Sequence, residues 1–318
     1  MKFSSRVITV IPTFFNDDSS VDYESIKTHI EDQINRDIET IVILGTTSEA
    51  PTLSLEERVQ VAEFVFNNFN SKLTIIVGLG GNNTKEMIHE LKLIEPYANL
   101  IMISQPSYNK PSQEGIYQHF KTLIEATERQ IIIYNIPSRC GVNINPTTVE
   151  KITHLTNRIV AIKEASGDLS QMMQVKELCP NLQLYSGDDG LVLPVLSIGG
   201  VGVISVVSNI LPEVMLSMIN EYFLGNILRA QTYFYNLRPF IKLCFIETNP
   251  VPIKYMLSVL KENESLANVR LPLVGLSNES KVETNQFIQE SIKATSEANL
   301  EHLLEEKKKN GLVLQLKV

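Results

Sequence analysis

The sequence predicts an α/β protein, a (β/α)8 barrel with a C-terminal helical extension. Three observations point there: short β-branched apolar runs alternate with longer amphipathic segments, several runs are apolar without interruption, and there are eight of them. The runs are Arg6–Thr13, Thr40–Thr47, Leu73–Gly80, Leu100–Gln105, Gln130–Pro137, Ile159–Ser166, Leu182–Asp189 and Val201–Ser208. Ile41-Val42-Ile43-Leu44, Ile131-Ile132-Ile133 and Ile159-Val160-Ala161-Ile162 suit parallel strands covered on both faces, since a half-exposed strand would alternate. Periodicity does not separate a closed barrel from a doubly wound open sheet; the count of eight favours the barrel.

Between the runs, Ser54 with Glu57 forms a capping box that opens a helix over Ser54–Asn70, and Asp168 with Gln171 offers a similar start for Asp168–Leu178. After Pro212 the strand signals stop. From there to about Thr295 the chain reads as helices, with a joint at Asn249-Pro250-Val251-Pro252. The expected organisation is a barrel domain over 1–225, a helical domain over 226–296 and a polar, helix-prone tail over 297–318. That tail reads as a solvated terminal helix or as a contact between subunits.

Composition narrows the function. The 318 residues are 43% hydrophobic and 20% charged, the make-up of an ordinary soluble enzyme with a substantial core. A net charge of −8 with no basic stripe before the tail argues against nucleic acid as partner and leaves a small molecule. Cys140, Cys179 and Cys244 are odd in number and widely spaced, so neither a disulfide framework nor a thiolate zinc site is suggested. The first residues lack an apolar signal core and no stretch is long enough for a membrane helix, so a cytoplasmic protein without a membrane partner is expected.

Lys163 stands out. It closes the apolar run Ile159–Ile162, where little water is available to solvate an ammonium; desolvation lowers its pKa and leaves the free amine that attacks a ketone to form an imine. The alternative is a rim lysine paired with a carboxylate. Glu164 cannot be that partner within the pleat, because adjacent strand residues face opposite ways. Tyr134 holds the equivalent place in Ile131–Pro137, where its phenol could move protons or simply be a core tyrosine with a satisfied hydroxyl. Arg139, just beyond, is either a surface residue or a bidentate carboxylate receptor at the barrel mouth. The loop Gly45-Thr46-Thr47-Ser48-Glu49 offers hydroxyl and N–H donors, or is a plain turn. Tyr108 and Gly187-Asp188-Asp189 fall on the same predicted face.

Other signals lead nowhere. Gly78-Leu79-Gly80-Gly81 has Asn83 where a dinucleotide loop needs its third glycine. The histidines lack metal-ligand spacing, and neither a Gly-x-Ser-x-Gly elbow nor a phosphate-loop lysine motif occurs.

Taken together, Gly45-Thr46-Thr47 with Thr52-Leu53-Ser54, Tyr108 through Gly115, Tyr134-Asn135-Ile136-Pro137-Ser138-Arg139, Ile162 through Gly167, Ser186-Gly187-Asp188-Asp189 and Gly199 through Val206 closely resemble the dihydrodipicolinate synthase family. The resemblance runs to about residue 295. This family sits in the pyruvate-dependent aldolase superfamily with N-acetylneuraminate lyase. The resemblance implies condensation of pyruvate with aspartate semialdehyde in the diaminopimelate and lysine route, through a Schiff base on Lys163 and without metal or organic cofactor. It implies that Thr47 and Ile204 contact pyruvate, that Tyr134, Thr46 and Tyr108 relay protons, and that Arg139 receives the semialdehyde carboxylate. Tyr108 would come from the neighbouring subunit, within a homotetramer built of two tight dimers.

The chain departs from the family pattern at Ser48 (usually glycine), Cys140 (usually threonine) and Ser107 (commonly aromatic). Asn82 and Glu86 match the lysine-feedback pocket of sensitive members, but Leu55 and Arg58 stand where those often carry histidines, which implies weak or absent inhibition by lysine. Two other readings compete. One is a sister aldolase acting on sugar acids, such as N-acetylneuraminate lyase, for which a guanidinium at Arg139 is less needed. The other is a non-catalytic barrel serving binding or assembly, which would be expected to lack Lys163 or a relay member.

Overall fold

A computed structural model describes residues 5–297 and places the strands as expected. They are β1 (Val7–Val10), β2 (Thr40–Ile43), β3 (Thr74–Leu79), β4 (Leu100–Ser104), β5 (Gln130–Asn135), β6 (Ile159–Glu164), β7 (Gln183–Ser186) and β8 (Gly202–Ser205). Each pairs in parallel with the next, and β8 returns to β1, closing the barrel. Seven of these pairings join consecutive strands across helices, the arrangement that buries both faces of each strand.

All eight strands are shorter than their apolar runs. The second run shows why: Leu44 adopts φ 55°, a left-handed conformation that cannot continue the pleat, so the chain leaves β2 at Ile43 and turns. The turn fits closely over β3. A Cβ on Gly78 would lie 2.6 Å from the Leu44 carbonyl oxygen, so only glycine lets the two backbones approach.

The interior follows from strand alternation. Ile8, Val10, Val42, Ile76, Leu100, Met102, Ile132, Tyr134, Ala161, Tyr185 and Ile204 form one buried cluster, the inward set of the eight strands. Lys163 is two residues beyond Ala161 and shares its face, whereas Ile162 and Glu164 face the helices.

Helix Leu55–Phe69 has the reciprocal capping box, the Ser54 hydroxyl accepting from Glu57 N–H and the Glu57 carboxylate accepting from Ser54 N–H. Helix Leu169–Leu178 is capped only one way. Asp168 accepts from the N–H groups of Ser170 and Gln171, but the Gln171 side chain turns instead to Asn143 and Glu164.

Two compact units are distinguished. One comprises Ile38–Ser205 with the chain up to Ile11, and holds all eight strands. The other comprises Pro12–Asp37 and the chain from Val206 onward. It contains the helices Tyr23–Asn35, Pro212–Phe223, Ile227–Cys244, Val251–Leu260 and Asn278–Glu297, the last four filling the stretch read as helical after Pro212. Inside it, Phe240 and Phe287 meet edge to face at 4.9 Å, and the ammonium of fully buried Lys254 donates to Thr13 O at 2.8 Å. The division proposed from the sequence at residue 225 follows chain order, and we keep it as a proposal. Of the tail expected over 297–318, everything after Glu297 lies outside the described residues. Among the described residues, no helix is long and apolar enough to cross a membrane.

Candidate active site

The C-terminal ends of β5 and β6 set the centre of the site. Tyr134 and Lys163 are direct register partners across these strands, both pointing into the barrel. The Lys163 Nζ lies 4.3 Å from the centroid of the Tyr134 ring. Lys163 is only 6% exposed, so its charge is poorly solvated. Burial pushes the amine down to about 8; the Asp189 carboxylate opposes the shift and the Arg139 guanidinium adds to it. An amine of this pKa is about one-tenth free base at pH 7, a far larger share than ordinary lysine has.

Tyr134 is buried too. Its phenol is pushed well above the ordinary value by desolvation, while a hydrogen bond with the Thr46 side chain and the charge of Arg139 work the other way. The phenol therefore stays protonated at working pH and can donate or pass on a proton without holding a charge. Thr46 and buried Thr47 sit in the turn after β2, where Ser48 N–H bonds to Gly45 O and Glu49 N–H to Thr46 O. The Ser48 hydroxyl donates to Ile11 O at 2.6 Å, tying the turn to the end of β1.

Arg139 lies in the short helix Pro137–Cys140 after β5, exposed at the mouth and near enough to bias both Lys163 and Tyr134. Its neighbour Cys140 is buried, and burial raises that thiol to about 11, well away from a reactive thiolate. Ile204, on β8, is buried in the inward cluster. Lys163, Tyr134, Thr46 and Arg139 thus come together. Tyr108 stands apart: it is in the loop after β4 at φ 65°, 86% exposed, and its N–H bonds to Cys140 O.

One set of groups was missed from the sequence. Behind the site, Glu164 is fully buried and accepts hydrogen bonds from Asn135 Nδ2, Ser166 N–H and Gln171 Nε2. Burial raises its pKa, and these donors oppose the rise. A signal was present: a carboxylate in an apolar strand must find donors, and Asn135 holds the matching register on β5.

The profile of the Dihydrodipicolinate synthetase family matches residues 3–291. The chain belongs to that family. A 4-hydroxy-tetrahydrodipicolinate synthase of Endomicrobium trichonymphae is 39% identical over 287 residues, covering 90% of this chain and 98% of the relative. The crystal structure of dihydrodipicolinate synthase from Aquifex aeolicus superposes with a TM-score of 0.86 at 35% identity, covering 90% of this chain and 97% of that one. A structure described as a monomeric dihydrodipicolinate synthase variant matches with the same TM-score and identity, over 91% of this chain and 97% of that one. Family membership covers the whole barrel and the four helices after it up to residue 291.

Proposed function

We propose that the chain is an enzyme with 4-hydroxy-tetrahydrodipicolinate synthase activity, condensing pyruvate with L-aspartate 4-semialdehyde through a Schiff base on Lys163. This is the first committed step of the diaminopimelate and lysine route. The observation that carries the reading is a buried lysine with its amine lowered to about 8, at the C-terminal end of a barrel strand and beside a protonated tyrosine.

In this reading the Lys163 amine attacks the pyruvate ketone and the carbinolamine loses water to give the imine. Tyr134, bonded to Thr46, supplies and takes up the protons of these steps, and Tyr108 of a neighbouring subunit connects the pair to solvent. The positive imine nitrogen acidifies the pyruvate methyl group. Loss of a methyl proton gives the enamine, whose carbon attacks the semialdehyde carbonyl and forms the new C–C bond. The amine of the product then closes the ring onto the imine carbon and displaces Lys163. Thr47 and the backbone at Ile204 hold the pyruvate carboxylate. Arg139 receives the carboxylate of the semialdehyde, a planar fork suited to a planar anion. Each step is carried by protein groups, so no metal or organic cofactor is invoked.

The same reading includes a cytoplasmic homotetramer built of two dimers, with small-molecule substrates as partners and neither nucleic acid nor membrane. An exposed Tyr108 ring at the barrel mouth supports the dimer, since a relay tyrosine has work to do only next to a site. Arg139 favours the semialdehyde over a polyhydroxylated sugar acid.

Borohydride trapping with pyruvate, followed by intact mass and peptide mapping, tests the mechanism; a coupled assay with aspartate semialdehyde or N-acetylmannosamine tests the acceptor. The expected result is a pyruvate adduct on Lys163 and turnover of the semialdehyde alone. Preference for the sugar would move the activity to the lyase branch, and failure to label Lys163 would overturn the mechanism.

A further inference from the structure

Arg139 has to present its guanidinium near enough to Lys163 and Tyr134 to act on both, yet the helix that carries it, Pro137–Cys140, is a single turn of four residues. Such a turn does not maintain itself; helix formation in isolation needs several turns, so the segment must be held from outside. What holds it is Gln105, the first residue after β4, which is fully buried.

Gln105 grips the segment on both sides of Arg139. Before it, Ile136 N–H donates to Gln105 Oε1 at 3.2 Å. After it, Gln105 Nε2 donates to Val142 O at 2.9 Å, and the Cys140 thiol donates to the Gln105 backbone carbonyl at 3.3 Å. The same Nε2 reaches Asn135 Oδ1 at 3.1 Å, and Asn135 in turn accepts from Ile144 N–H at 3.1 Å and donates to Glu164 and to Asn143 Oδ1. A buried polar chain therefore runs from the end of β4 through the ends of β5 and β6, and each link also fastens a point of the 136–144 segment. Buried polar groups of this kind admit one arrangement, because any other leaves a donor or acceptor unpaired.

We propose that Gln105 is a positioning residue for acceptor specificity: through its hydrogen bonds to Ile136, Val142 and Asn135 it sets where Arg139 meets the carboxylate of the second substrate. The proposal rests on the activity put forward above. It separates the two halves of the reaction. Pyruvate meets Lys163, Tyr134 and the Thr46–Thr47 turn, none of which Gln105 bonds, so imine formation is independent of it except through the charge of Arg139, the weakest of the three influences on the Lys163 amine. Recognition of the acceptor carboxylate is not.

The test compares wild type, Gln105→Leu, Arg139→Ala and the double variant. Gln105→Asn serves as a milder change: it keeps a neutral amide but draws it back by one methylene from Ile136 and Val142, and it is measured in place of the leucine variant should that one fail to fold. Two readouts are taken on each protein, the rate of borohydride trapping of pyruvate on Lys163 and the steady-state constants for aspartate semialdehyde. The expected result for Gln105→Leu is trapping within about twofold of wild type and a KM for the semialdehyde raised at least about tenfold, with kcat less affected. The double variant should be no worse than Arg139→Ala alone, since a residue that acts through Arg139 has nothing left to act on. Losses that multiply in the double variant, an equal loss of trapping, or an unchanged KM would each overturn the proposal. Absence of any pyruvate adduct on wild type would instead overturn the aldolase reading beneath it, a distinguishable failure.

Discussion

Lys163 and its neighbours make predictions that differ from those for a lysine on a protein surface. Its amine loses a proton near pH 8, so the initial rate of pyruvate trapping should climb with pH to about 8 and level off above it. An unperturbed lysine would keep climbing towards its ordinary pKa near 10.4. Timed borohydride quenches across the pH range, read by intact mass, distinguish the two. Stability carries the same signature. The unfolded chain holds this proton up to the ordinary lysine value while the folded one releases it at about 8, so stability rises with pH between those values and the full cost of burying the charge applies below them. Lys163→Met should therefore be inactive yet more stable than wild type at neutral pH, by on the order of 3 kcal/mol, with the gain shrinking above pH 8. Calorimetric melting of both proteins at several pH values measures it; a variant that melts lower at neutral pH would mean that the amine is satisfied and not strained by its burial.

At the scale of elements, the site depends on how strands end. Leu44 leaves the pleat at φ 55° so that Thr46 and Thr47 reach the barrel mouth, and this turn is possible only because β3 presents Gly78 beneath it. In Gly78→Ala the added carbon would meet backbone on both Leu44 O at 2.6 Å and Leu44 C at 2.9 Å, so the turn must move. A displacement on the order of 1 Å at a catalytic turn costs about 10²-fold, and kcat/KM for pyruvate should fall by about that factor while circular dichroism stays that of wild type. Unchanged kinetics would show that the turn is not part of the pyruvate site. The elements also show how much was legible beforehand. Ser54 and Glu57 announced their helix because a capping box is local chemistry, complete within four residues. Asp168 and Gln171 looked the same in sequence, but Gln171 is drawn to Asn143 and Glu164 by hydrogen bonds that span the fold. Local pattern cannot register such competition.

Regulation and assembly are properties of the whole molecule. The Arg58 guanidinium pairs with Glu90 at 2.6 Å and also donates to Leu53 O, so a fixed positive charge stands where sensitive relatives often carry a histidine. A guanidinium held in an ion pair offers no acceptor to the ammonium of a bound lysine. L-lysine titrated into the forward assay should inhibit weakly or not at all; sub-millimolar inhibition would contradict this. For assembly, the exposed Tyr108 gives a complementation test. Lys163→Met and Tyr108→Ala subunits, each inactive or nearly so, should regain activity when dissociated and reassembled together, because one site in each mixed dimer combines an intact lysine with an intact tyrosine from its neighbour. If mixing restores nothing, Tyr108 does not act across subunits.

The sequence by itself determined the eight strands and the family, favoured the closed barrel by their count, and singled out Lys163 and its neighbours as the candidate site. Each of these is written in periodicity or in short motifs: strand alternation puts Lys163 and Tyr134 on one face, and eight apolar runs need eight covered strands. The tertiary structure decided what depends on groups far apart in the chain. It set how deeply Lys163 is buried, and hence its pKa, and it brought Arg139 near enough to act on both Lys163 and Tyr134. It also joined Gln105, Asn135 and Glu164 into one chain of hydrogen bonds across three strands. Taken singly, each of those three is an ordinary polar residue at a strand end. Their partners lie about 30 residues away, at a separation that only the closed barrel fixes, because parallel strands set side by side must be joined by a full helical crossover.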